Sequence, residues 1–78
     1  MSTIATPITA SESKKRTENH KKTAAYLETA ATHHLDAAKY YEAGNHDKAC
    51  ASALKAHGHV ALAKETQKED LKNHAAVI

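Results

Sequence analysis

Histidine is the chemical anomaly of this chain. Seven of them, His20, His33, His34, His46, His57, His59 and His74, accompany a single cysteine, Cys50. Neutral imidazole and thiolate are ordinary ligands of Zn, Ni and Cu, so the spacing decides whether they can chelate. On one helix, two side chains reach a common point when they stand three or four residues apart. His33 and His34 diverge by about 100° on a helix of 3.6 residues per turn, and His57 and His59 by about 200°. Neither couple chelates on its own helix, and there is no His-x-x-x-His pair. The usable local pairs are His46 with Cys50, His33 with Asp36, and Asp70 with His74, each a two-ligand fragment. A metal-binding role for His46, Cys50, His33, His34 and His57 therefore needs tertiary or dimer contacts to complete it. The competing reading is that histidine serves as a moderately sized, moderately polar filler on helix surfaces.

Other chemistry finds less footing. There is no glycine-rich phosphate loop, nucleophile elbow or zinc-protease motif. Cys50 with His46 one turn away could imitate a thiolate pair, but a small thiol bordering an alanine seam is ordinarily structural. The expectation is that the protein is not an enzyme and has no obligatory cofactor. The cluster Lys14, Lys15, Arg16, Lys21 and Lys22 suggests nucleic acid or an anionic surface. No aromatic interleaves it for base stacking, and the net charge is only +2. Nucleic acid is thus not the expected partner, and weak binding through these basics ranks third among the readings.

The elements that must position these groups are helices. Seventeen of 78 residues are Ala, with no Phe or Trp and three Tyr. Ala is the best helix former, so the chain is expected to be all-α. One domain is the most this length supports. A lone cysteine excludes an internal disulfide and suits a reducing cytoplasm. No apolar stretch is long enough for a membrane span or a signal-peptide core. Residues 1–10 read as a flexible tail and 11–78 as the helical domain.

Written in sevens, residues 24–44 read AAYLETA, ATHHLDA, AKYYEAG. The first and seventh positions (Ala24, Ala31, Ala38; Ala30, Ala37) form a flat strip that lets another helix approach. The third (Tyr26, His33, Tyr40) and fourth (Leu27, His34, Tyr41) carry bulk beside it. Helix 1 is expected from about Ser11 to Ala43, opened by the capping pattern Thr9-Ala10-Ser11-Glu12. Gly44 suits the C′ position and Asn45 an N-cap, with Asp47 in the next first turn. Helix 2 then runs from about His46 to Ala75. Its expected seam is Ala49, Ala53, Ala56, Val60, Ala63 and Gln67, bordered by Cys50, Leu54, His57, Ala61 and Leu71. So short a turn between long helices makes an antiparallel hairpin. Across it His34 falls nearly level with His57, and the basic start of helix 1 lies beside Glu65, Glu69 and Asp70. Gly58 falls level with Ala31, where close helix packing is expected, with a kink as the alternative.

The segment AAKYYEAGNHDKACASALKAH resembles the core of a tetratricopeptide repeat. Tyr40 matches that repeat's helix A tyrosine, Gly44-Asn45 its turn, and Ala49, Ala53 and Ala56 its small helix B residues. Ala37 stands where the family usually has Gly. The likeness covers roughly a quarter of the chain, without a second copy or closing Pro. It implies two closely packed helices and does not extend to a peptide-binding groove. The alternation of Ala-Ala with His or Tyr doublets also resembles small uncharacterised Ala- and His-rich bacterial helical proteins, which implies no function.

The expectation is therefore a long antiparallel two-helix hairpin that pairs into a dimeric four-helix bundle. It would act as a non-catalytic cytoplasmic interaction or scaffold protein. Tyr26, Leu27, Leu35, Tyr40, Tyr41 and Leu54 are the candidate contact surface for a second copy or another protein. His-rich binding of Zn, Ni or Cu is the alternative function.

Overall fold

The computed structural model of the chain describes residues 9–77, with side-chain surroundings through Asn73. Residues 1–8, most of the expected tail, lie outside the described residues, and so does the expected Asp70–His74 pair at its His74 side chain. Two helices, α1 (Ala10–Glu42, 33 residues) and α2 (His46–Val77, 32 residues), lie against each other as a hairpin measuring 59 × 18 × 16 Å. Among the described residues no helix is long and apolar enough to cross a membrane.

Both ends of α1 follow from local sequence. Thr9 is extended (φ −70°, ψ 160°); its hydroxyl oxygen accepts the Glu12 N–H at 3.1 Å, and its hydroxyl donates to the Glu12 carboxylate at 3.2 Å. That satisfies one of the orphan donors of the first helical turn. At the other end Gly44 takes φ +76°, a conformation that costs a side-chain-bearing residue strain. The Asn45 N–H donates to the Tyr40 carbonyl at 2.8 Å and the Gly44 N–H to Tyr41 at 3.0 Å, the Schellman pattern. Asn45 at once caps α2: its Oδ1 accepts the Lys48 N–H at 3.2 Å and its carbonyl the Ala49 N–H at 3.0 Å. The chain reverses with no residue to spare.

The seam is a strict heptad on both helices. On α1 the inward rows are Arg16, Thr23, Ala30, Ala37 and Asn19, Tyr26, His33, Tyr40. On α2 they are Ala49, Ala56, Ala63, Asp70 and Ser52, His59, Thr66, Asn73, every one buried or half-buried. The buried hydrophobic core is five alanines: Ala30, Ala37, Ala49, Ala56 and Ala63, none more than 5% exposed. A buried methyl contributes about 0.8 kcal/mol, against about 1.5–3 for a buried leucine. The alanines are therefore weak glue, and what they supply is close approach.

Three expectations shift. Ala24, Ala31 and Ala38 stand exposed, so the strip on α1 is centred on its seventh position alone. Gln67, placed on the seam, is exposed. A Cβ built at Gly58 would meet nothing within 4 Å, and α2 runs through it unbroken. Gly58 is neither a close-packing site nor a break, because its position on the heptad faces outward.

Two substitutions test this packing by thermal melting followed by circular dichroism. Gly58→Ala should raise stability by about 1 kcal/mol, the helix-propensity difference alone. Ala56→Leu should lower it by about 1–3 kcal/mol, because the helices must part to admit the side chain.

Candidate functional site: two imidazole pairs at mid-seam

The histidines that fail to chelate on one helix meet across two. His33 lies against His59 with ring centroids 5.4 Å apart, and His34 against His57 at 5.6 Å. The divergence of each couple is the cause. Adjacent residues 33 and 34 leave α1 on opposite flanks of the alanine row, and residues 57 and 59 leave α2 likewise. Each flank of the seam thus receives one imidazole from each helix at the same height.

The two pairs differ in surroundings. His34 and His57 are exposed and line a shallow open groove with Val60, Ala61 and Lys64; their contact is between tilted rings. His33 and His59 are half-buried, and the Tyr26 ring stands 6.4 Å from His59 on the far side. The His59 Nδ1 lies 2.9 Å from the Lys55 carbonyl. A carbonyl only accepts, so in this bond Nδ1 carries the proton, and in the neutral ring the lone pair falls on Nε2.

The remaining candidate ligands go to the turn. The Tyr41 ring packs 5.8 Å from His46, and its hydroxyl lies 3.8 Å from Cys50 Sγ. Tyr41 therefore engages both members of the His46–Cys50 fragment. The hydrogen bond to Cys50 raises the Tyr41 pKa above the ordinary phenol value, helped by charge repulsion from a Cys50 thiolate and by slight desolvation. Among the described residues no three His, Cys, Asp or Glu side chains gather closely enough to hold a metal. His46 and Cys50 at the turn, His33 at one flank and His34 with His57 at the other do not form one centre.

The open end of the hairpin is polar. The hydroxyls of Thr23 and Thr66 meet across the seam, Asn19 Nδ2 donates to the Thr66 carbonyl at 2.8 Å, and His20 Nε2 pairs with Asp70 Oδ1 at 3.1 Å. Arg16 reaches the Asn73 carbonyl at 3.5 Å. One member of the basic cluster is thus turned inward, toward the far end of α2, as the antiparallel reading requires.

The candidate contact residues divide by flank. Leu27 and Tyr41 are exposed beside the His34–His57 pair, while Leu35 and Leu54 are exposed on the outward backs of their helices, opposite the seam. Tyr26 and Tyr40 are half-buried on the other flank; Lys48 Nζ stands 5.8 Å from the Tyr40 ring centroid. The residue missed by spacing was His59. Its signal was the row Ser52, His59, Thr66, Asn73, whose polarity disguised a seam position.

Comparison with known proteins finds no matching family model, no matching curated protein and no matching solved structure.

Replacing Cys50 with Ala should bring one tyrosine down toward the ordinary phenol pKa. Spectrophotometric titration near the phenolate band reads this directly: one of the three tyrosines ionises at lower pH in the variant. Identical titration curves would show that the contact does not persist in solution.

Proposed function

We propose that the protein is a non-catalytic, self-associating helical interaction module, two hairpins pairing into a four-helix bundle. The observation that carries this reading is the position of the leucines. All five, Leu27, Leu35, Leu54, Leu62 and Leu71, are exposed, Leu54 at 71% and Leu71 at 69%, while the core is alanine. A hairpin stabilised by five methyls and its caps has little margin, and the larger side chains that could add to it point away from the partner helix.

The flank that carries Leu27, beside His34 and His57, is also poor in charge. From Ala24 to Tyr41, α1 presents Ala24, Leu27, Ala31, His34, Ala38 and Tyr41 there, with no Lys, Arg, Asp or Glu. From α2 come Cys50, Ala53, His57 and Val60, until Lys64 interrupts. The opposite flank carries Lys22, Asp36, Lys55 and Glu69. Depletion of charge at the centre of a face, with polar residues at its rim, is the pattern of an interface core. A second hairpin, turned by a two-fold axis, would match alanine gaps against leucine and tyrosine bulk. The same face would accept an amphipathic helix of another protein.

The test is sedimentation at micromolar concentration with helicity monitored alongside. The wild-type chain should sediment as a dimer. Leu27→Lys, which puts a charge at the centre of the face, should weaken association by about tenfold or more. Leu62→Lys, on the charged flank, should leave it unchanged. A monomer that remains fully helical throughout the range would overturn the reading.

A further inference from the structure

We propose that His33 and His59 form an interhelical two-imidazole site for a borderline divalent transition-metal ion, of the class Zn²⁺, Ni²⁺ or Cu²⁺. Three features support it together. The first is distance. With metal–nitrogen bonds of about 2.0–2.1 Å and a roughly tetrahedral angle, the centroids of two ligating imidazoles stand about 5 Å apart. The observed 5.4 Å, with the rings tilted by 38°, is close to that separation.

The second is the tautomer of His59. A metal-ligating histidine almost always gives its other ring N–H to a carbonyl or carboxylate, which fixes the ring and raises its basicity as a ligand. The Lys55 carbonyl, 2.9 Å from His59 Nδ1, already plays that part. The nitrogen left with a free lone pair is Nε2. The third is burial. Both rings are half-buried between the helices, with Tyr26 closing one side, so the two ligands lose less side-chain freedom on binding than an exposed pair would. Asp36, half-buried one turn after His33, adds negative charge on the same flank.

The His34–His57 pair has the separation but neither the burial nor the fixed tautomer, and it is the internal control. Two protein ligands leave the other coordination positions to water or to a further group. Because both histidines belong to one chain, the site does not depend on self-association. An ion bound to both helices ties the hairpin closed and therefore stabilises it in proportion to its concentration over Kd.

The full chain, freed of metal with a chelator, is melted with and without excess ZnCl₂ or NiCl₂, and each metal is titrated calorimetrically. Copper is left out because the Cys50 thiol would reduce it. A metal-dependent rise in Tm with one ion per chain is expected. His33→Gln and His59→Gln should each weaken binding by about tenfold or more, and His34→Gln should leave it intact. No response to either metal, or a response that survives His59→Gln, overturns the proposal. So does a response lost with His34→Gln and retained with His33→Gln. If a variant fails to fold, ¹⁵N spectra of the wild-type imidazoles decide. A shift at His59 Nε2 supports the site, and shifts confined to other histidines overturn it.

Discussion

The distance between the two helices governs this molecule, and alanine sets it. Ala30 and Ala37 on α1 face Ala49, Ala56 and Ala63 on α2, and nothing larger is fully buried anywhere in the described seam. Backbones that approach over methyl groups leave no room for leucine between them, so the leucines lie outside. The same approach brings Asn19 within hydrogen-bonding reach of a carbonyl on the opposite helix and sets imidazoles in ring contact on both flanks. Stability and placement are separated here: the alanines contribute modestly to the first and decide the second.

The seam changes character along its length. Near the turn it is alanine with tyrosine at the edge, at mid-length alanine with histidine, and at the open end threonine, asparagine and a histidine–aspartate pair. Polar groups at a packed interface cost free energy unless they find partners. At the open end they do, through Asn19 with Thr66, Thr23 with Thr66 and His20 with Asp70. Such bonds are directional where methyl contacts are not, so they distinguish the native register from one displaced by a heptad. A seam of identical alanine steps would tolerate that slip; the threonines and asparagine do not.

Much of this architecture was legible before any coordinates. The glycine–asparagine corner, the capped start at Thr9 and the alanine rows at Ala30, Ala37, Ala49, Ala56 and Ala63 follow from chemistry local to each segment. So does the level meeting of His34 with His57, by counting outward from the corner. What escaped was the second inward row of α2. Ser52, His59, Thr66 and Asn73 are polar, and polarity in a sequence is ordinarily read as facing water; here His59 and Thr66 meet His33 and Thr23 of the other helix, and Ser52 is buried in the seam. Gly58 misled for a related reason. A small residue suggests close approach, but which face it occupies depends on a heptad phase set by that same unrecognised row.

The corner at Ala43, Gly44 and Asn45 has a further consequence. Its hydrogen bonds finish one helix and begin the next without slack, so the corner acts as an index mark for everything beyond it. A single extra residue there would rotate α2 by about 100° and slide it by about 1.5 Å. The alanine column would swing off the seam, and both imidazole meetings would dissolve while each helix remained intact. Point changes along the rods alter one contact at a time; a change of length at the corner would rewrite all of them together.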